Sequence, residues 1–219
     1  MSHETIYKSL FGQSRGVLKK ALQAHLLTQR LFRQSPTNNT KGNARGGIID
    51  AVSIADSPPE FEGRVVPGRW EGDLISGSAN TYMATLVERQ SRFTMLVKVD
   101  GKDARSVVSA LSRQVKKLPR QLRVSLTWDR GMEFADHKSF IMATETNVDF
   151  CDPQSSWQRG TNENTNCVLR QYFPKKTILA VHTQAESNKV AKRLNQRPCK
   201  TLGYRTPSDI LSKKVALTA

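Results

Sequence analysis

Residues 69–76 read RWEGDLIS and are central to the fold of this chain. The alternation of side chains along a strand places two carboxylates, Glu71 and Asp73, on the same face as Ile75. Trp70 falls on the opposite face. A basic protein has little reason to place carboxylates among apolar residues unless a cation offsets their charge. We therefore interpret this stretch as a half-buried strand that carries a functional acid, Asp73.

A second predicted strand also ends at an acid. Apolar and polar residues alternate along residues 122–128, and Asp129 follows directly. We expect Gly131 to supply the backbone freedom with which the chain leaves the sheet. Open α/β sheets place their chemistry at strand tips, so Asp129 is the second candidate.

The third acid opens a predicted helix after Gly160. Glu163, Asn166 and Arg170 recur along one face of that helix, which is too polar to be a plain core stripe. Three carboxylates in a chain of this charge indicate a metal site, because oxygen ligands suit hard divalent cations.

Each acid also has an ordinary structural interpretation. Asp73 could be a surface residue, Asp129 could begin a turn, and Glu163 could complement a helix dipole. We interpret Glu71 as a capping, supporting or Arg69-pairing residue and not as a metal ligand.

The bulk composition narrows the classes of function. Lys and Arg total 34 against 19 acidic residues, so the formal net charge is +15 and the pI is near 10.1. This charge favours a polyanionic partner. We expect no membrane association and a cytoplasmic location with the bacterial nucleoid, because the sequence has neither a long apolar run nor a signal peptide. Three widely spaced cysteines argue against a disulfide framework and a zinc knuckle.

The order of predicted elements indicates an α/β fold with a mixed sheet flanked by helices. The predicted strands cover residues 69–76, 81–88, 92–99, 122–128 and 148–151, and the predicted helices cover 103–117, 136–146, 160–172 and 184–196. Residues 61–213 form the predicted core and 214–219 a tail. Residues 1–33 are predicted to be basic and helical, and 34–60 to be a linker with limited local structure around Ile48–Ile54.

Three motifs resemble the catalytic domain of bacterial transposases of the insertion-sequence-thirty family, and more distantly that of retroviral integrases. They are WEGDL at 70–74 followed by ATLVER at 84–89, DRGME at 129–133, and GTNENTN at 160–166. Between Asp129 and Glu163 lie 33 residues, a spacing that such enzymes share, and Arg170 is the basic residue expected seven positions after the glutamate.

The resemblance implies a ribonuclease-H-like fold in which the strands carrying Asp73 and Asp129 are neighbours. It also implies a DDE-type integrase catalytic core that holds two Mg²⁺ (or Mn²⁺) ions, with Asp73 as the bridging ligand, Asp129 on one metal and Glu163 on the other. The expected reaction is DNA transposition: water cleaves at the element ends, and the exposed 3′-hydroxyl attacks target DNA. A homo-oligomer in the synaptic complex is the expected partner state.

The same resemblance, together with the basic charge, leads us to predict a set of DNA-binding residues near the acids. They are Arg159, Asn166, Arg170 and Lys175. Residues 1–7 resemble the recognition-helix part of a helix-turn-helix, so we expect the chain to begin partway through an upstream DNA-binding domain.

Some positions depart from the family pattern. Arg69 stands where relatives often place His, Ser156 replaces a Pro, and Cys199 interrupts a basic segment. Two alternatives therefore remain beside the transposase: an inactive truncated form that only binds DNA, and a ribonuclease-H-like nuclease that does not join strands.

Overall fold

The computed structural model describes residue 48 and residues 50–54, 67–152 and 155–218. Within these ranges the elements are β1 (Arg69–Ser76), β2 (Tyr82–Glu88), β3 (Thr94–Val99), α1 (Ala104–Val115), β4 (Ser125–Trp128), α2 (His137–Thr144), β5 (Asn147–Phe150), α3 (Gly160–Leu169), α4 (Gln184–Asn195) and α5 (Pro207–Thr218). Every strand and helix predicted for residues 69–196 is present. The largest boundary errors are at the start of β4, where the predicted first residue, Leu122, instead ends a 3₁₀ turn (Arg120–Leu122), and at the end of α3.

The five strands form one mixed sheet in the order β3-β2-β1-β4-β5. Strands β1, β2 and β3 are antiparallel neighbours, whereas β1, β4 and β5 run parallel. The central strand β1 lies directly beside β4, with Trp70 opposite Leu126. The predicted ribonuclease-H-like arrangement, with the strands of Asp73 and Asp129 adjacent, is thus confirmed.

Each face of the sheet packs against helices. On one face Trp70 and Trp128 join a core with α1 and α2. On the other face Ile75 joins a second core with α3 and α4. The predicted alternation of β1 is therefore correct, and Glu71 and Asp73 point toward the layer formed by α3 and α4.

Two local features are explained by close contacts and capping. A Cβ on Gly72 would clash with the Trp128 ring, so β1 and β4 can pack this closely only with glycine there. The unpredicted helix α5 begins at Pro207, and the Thr206 hydroxyl accepts a hydrogen bond from Asp209 N (3.1 Å). Thr before Pro at the first helical position is a start signal, and this helix extends to Thr218, beyond the predicted end of the core at 213.

A short segment of the predicted linker lies at the free edge of the sheet. Phe150 N donates to Val52 O (2.8 Å), and Ser53 forms an isolated parallel bridge with Phe150. The other predictions for residues 1–60 lie outside the described residues. No helix in the described ranges is long and apolar enough to cross a membrane.

Candidate active site

Strand β1 presents Asp73 to helix α3. The Asp73 Oδ1 atom accepts a hydrogen bond from Leu74 N (2.9 Å), and its Oδ2 atom accepts one from Asn166 Nδ2 (2.8 Å). The Asp73 side chain is nevertheless 28% exposed. Asp73 is thus held in one orientation while it remains open to solvent, as a ligand or reactive group requires.

Asp129 follows β4 at the same edge of the sheet. Its Oδ1 atom accepts a hydrogen bond from Gly131 N (3.0 Å), so Asp129 begins a turn as its ordinary interpretation predicts. Gly131 itself has φ −72°, which any residue adopts. The expected need for backbone freedom there is wrong, and a Cβ at Gly131 would first meet the end of the flexible Glu133 side chain.

Arg159 joins the two aspartates. Its Nη1 atom lies 3.1 Å from Asp73 Oδ1, and its Nη2 atom lies 3.4 Å from Asp129 Oδ2. Nη1 also donates to Gly72 O (2.9 Å), and only 10% of the side chain is exposed. Burial lowers the pKa of Arg159, but the charges of Asp73 and Asp129 outweigh burial and raise it above its ordinary value. We call Asp73, Asp129, Arg159 and Asn166 the open cluster.

A second group of polar side chains attaches helix α3 to the sheet at Glu71, two residues before Asp73 in β1. Asn162 is fully buried; its N donates to Glu71 Oε2 (2.9 Å) and its Nδ2 donates to Glu71 O (2.8 Å). Asn162 Oδ1 accepts from the Thr85 hydroxyl (2.9 Å). Arg89 Nε lies 3.1 Å from Glu71 Oε1. We call Glu71, Thr85, Arg89 and Asn162 the closed cluster.

The closed cluster settles the role of Glu71. Its carboxylate receives the first turn of α3, so the expected capping and supporting role is correct, whereas its ionic partner is Arg89 and not Arg69. Burial raises the pKa of Glu71, against the opposing effects of the Asn162 N–H and the Arg89 charge.

Sequence reasoning missed Asn162, Thr85 and Arg89. The available signal was the spacing of Asn162 and Asn166, because residues four apart lie on one helical face. Asn162 and Asn166 both donate hydrogen bonds to β1, whereas Glu163 makes no hydrogen bond to the described residues.

Glu163 lies in the first turn of α3 between these two clusters. Its side chain is exposed and makes no hydrogen bond or ion pair with the described residues. Within the described part of the chain, no three His, Cys, Asp or Glu side chains converge as a metal site. The structure therefore brings Asp73 and Asp129 together around Arg159 and does not bring the Glu163 carboxylate into contact with them.

The residues predicted to bind DNA occupy different environments. Arg159 and Asn166 are engaged with the aspartates. Arg170 donates from Nη1 to Ser76 O (3.2 Å) at the end of β1 and remains partly exposed. Lys175 is exposed beyond α3.

The donor set fits hard divalent cations. Asp73 and Asp129 offer charged oxygens to a shared cationic position, which the Arg159 guanidinium fills here. Asn166 Oδ1 is buried with no hydrogen-bond partner, so another oxygen is available beside Asp73. Mg²⁺ prefers such carboxylate and carbonyl oxygens.

A basic cleft of about 410 Å³ begins at the far side of α3. Asn164 and Thr165, which follow Glu163 directly, form one wall. The cations Arg92, Arg197 and Lys200 and the 70% exposed ring of Tyr204 line it together with no acidic residue. Cations beside an exposed aromatic ring suit a nucleic-acid strand.

The chain is similar to a known domain and to several known proteins. Residues 64–156 match the integrase core domain. The whole chain is 49% identical over 220 residues to the transposase InsI for insertion sequence element IS30A of Escherichia coli K12, of which it spans 57%. It is 44% identical over 217 residues, 99% of the chain and 63% of the relative, to the transposase for insertion sequence element IS1086 of Cupriavidus metallidurans. Identity is 32% over 95% of the chain and 63% of the transposase for IS4351 of Bacteroides fragilis. The chain thus spans less than two thirds of the length of these curated relatives.

Proposed function

We propose, from its similarity to transposases of insertion sequences and to the integrase core domain, that this chain is the catalytic part of a DNA transposase of the insertion-sequence-thirty type. The observation that carries the proposal is the open cluster. Two aspartates, Asp73 in β1 and Asp129 directly after the neighbouring parallel strand β4, share one cationic position. Both carboxylates are fixed by backbone N–H groups and remain partly exposed. This arrangement suits metal-assisted chemistry on a phosphodiester.

Asp73, Asp129 and Glu163 would hold the cations, with Asn166 keeping the Asp73 carboxylate in place. Glu163 lies three residues before Asn166, whose amide touches Asp73, so both side chains project from the same side of α3. Rotation of the exposed Glu163 side chain would bring its carboxylate toward the aspartates. Two Mg²⁺ or Mn²⁺ ions bound there would stabilise the negative charge on the attacking and leaving oxygens during phosphoryl transfer.

The DNA substrate is supported by charge and by shape. The chain carries +15 formal charges, and the basic cleft runs from the residues that follow Glu163. Arg170 lies on the other side of the open cluster, near the end of β1. Trp157, which is 73% exposed, lies two residues before Arg159. DNA crossing α3 would meet cations on both sides of the acids.

The names of the relatives support the biological role. They are transposases for insertion sequence elements. We propose the corresponding substrates, the ends of an insertion sequence and a target duplex, together with a homo-oligomer that pairs the two ends. Such an enzyme would act on the chromosome, in the cytoplasm.

The proposal is tested with the terminal DNA of the element that encodes the chain. We expect the protein to join these ends to a plasmid when Mg²⁺ or Mn²⁺ is present and not when the cation is chelated. Nicking without joining would favour the ribonuclease-H-like nuclease. Duplex binding without any cleavage would favour an inactive DNA-binding protein.

A further inference from the structure

Arg159 occupies a position that conflicts with a role in which it only binds DNA. Its guanidinium is buried and pairs with both aspartates, while a third contact goes to Gly72 O. Its Nε atom is buried without a hydrogen-bond partner, so the side chain is not fully satisfied in this position. A buried charge of this kind is retained only while its partners are present.

Divalent cations need the same oxygens. Asp73 Oδ1 and Asp129 Oδ2 are the atoms that face Arg159. A guanidinium and a metal cannot both lie at this position, because like charges in a partly buried site repel strongly. A metal ion that displaced the Arg159 guanidinium from the aspartates would also leave the guanidinium charge without a partner, unless another anion received it.

A DNA phosphate is the anion best placed to receive it. Arg159 belongs to a single 3₁₀ turn, Ser156–Arg159, which also carries the exposed Trp157 ring. A small rotation of this turn would carry the guanidinium outward, where arginine binds phosphate with two parallel hydrogen bonds.

We propose that Arg159 is an internal counter-ion which occupies the metal position of the free protein and transfers to a DNA phosphate when the substrate binds. This inference rests on the proposed function. It predicts that DNA and divalent cations bind cooperatively. DNA draws Arg159 away from the aspartates and so frees them for the cation, and the cation displaces Arg159 and so frees it for DNA. By linkage, DNA must strengthen metal binding by the same factor as metal strengthens DNA binding.

The test measures binding, with no turnover needed. Mn²⁺ binding to the full chain is followed by the electron paramagnetic resonance signal of the free ion, with and without a mixed-sequence duplex and with a DNA-only blank. We expect the duplex to tighten Mn²⁺ binding to the wild type by about 5- to 150-fold, the usual range of coupling between sites. Anisotropy of a labelled duplex should show the same factor when Mn²⁺ is added.

Variants identify the residue responsible. Arg159→Gln should bind Mn²⁺ more tightly than the wild type without DNA, and the duplex should then change that affinity little. Arg159→Lys, which keeps the charge but lacks the planar fork of donors with which Arg159 contacts both carboxylates and Gly72 O, should fall between them and serves as the test if Arg159→Gln does not fold. Arg130→Gln is the matched control, because Arg130 is next to Asp129 in the chain yet donates to Cys151 O (3.1 Å).

Three results would overturn the inference. Weaker Mn²⁺ binding by Arg159→Gln would show that Arg159 supports the metal, and an equal gain in Arg130→Gln would reduce the effect to net charge. Tight Mn²⁺ binding by the wild type with no response to the duplex would remove the coupling while leaving the proposed function intact. Absence of Mn²⁺ binding in every variant, with and without DNA, would instead reject the metal-dependent function itself.

Discussion

The closed and open clusters are built from the same parts. Each contains a carboxylate of β1, an arginine and an asparagine of α3: Glu71, Arg89 and Asn162 in one, and Asp73, Arg159 and Asn166 in the other. They differ in solvent access. Glu71 is only 1% exposed and Asn162 is fully buried, whereas the side chains of Asp73 and Asp129 are 28% and 39% exposed.

The difference separates support from chemistry. In the closed cluster every carboxylate contact goes to the protein, and the result is a fixed helix start. In the open cluster a second carboxylate, Asp129, adds negative charge that one arginine does not neutralise. An unneutralised pair with open oxygens can take up external cations, which a closed, neutralised pair cannot do.

The largest expected effect is on catalysis. Asp73→Asn keeps the shape of the side chain but removes a charge needed for cations, so strand transfer should fall to the detection limit while duplex binding persists. The matched variant is Asp100→Asn, at an exposed acid just after β3. Joining of end DNA to a plasmid measures the loss. Wild-type Mg²⁺-dependent turnover in Asp73→Asn would eliminate Asp73 as a ligand.

The next effect is on stability and belongs to the closed cluster. Asn162→Ala would leave Glu71 O without its amide donor and remove the nearer of the two acceptors of the Thr85 hydroxyl, at a cost of about 2–4 kcal/mol in the free energy of unfolding. Asn164→Ala, at an exposed position on the same helix, should change it by less than about 0.5 kcal/mol. Urea unfolding measures both. Equal losses would mean that α3 does not depend on the closed cluster.

The pH dependence of stability should also arise from the closed cluster. Burial raises the pKa of folded Glu71 above its unfolded value, so its contribution is fully present below the unfolded pKa and is lost as the pH rises through the folded pKa. Relative to Glu71→Gln, the wild type should therefore lose stability with rising pH, by up to about 1.4 kcal/mol per pH unit. Urea unfolding at a series of pH values provides the comparison. A relative gain with rising pH would show that the Arg89 pair outweighs burial.

The smallest effect concerns DNA affinity beside the open cluster. Replacement of Arg170 with Ala should weaken binding to unrelated duplexes alike and flatten the log–log salt slope by about 0.9, the value of one phosphate contact. Arg113→Ala is the control, because Arg113 is exposed on α1 in the other helix layer. Anisotropy titrations across salt concentrations give the slopes. An unchanged slope for Arg170→Ala would place the DNA elsewhere.

The amino-acid sequence by itself determined the order of the elements and the faces of β1. Period-two alternation predicted that Glu71, Asp73 and Ile75 share a face, because successive side chains of a strand point to opposite sides. Asp129 was found as the acid at a strand end. Local patterns fixed these features since they depend only on neighbours along the chain. The family motifs supplied the adjacency of the two aspartate strands, which no local pattern contains.

Only the tertiary structure decided how the polar side chains pair. Arg89 and not Arg69 meets Glu71, and Asn162 enters the interior although its neighbour Glu163 stays exposed. Arg159, predicted to bind DNA, lies between Asp73 and Asp129, which are 86 and 30 residues away in sequence. Such pairings depend on the packing of α3 across β1, and the free energy of a buried charge depends on all of its neighbours at once. A residue pattern read along one chain contains no information about those neighbours.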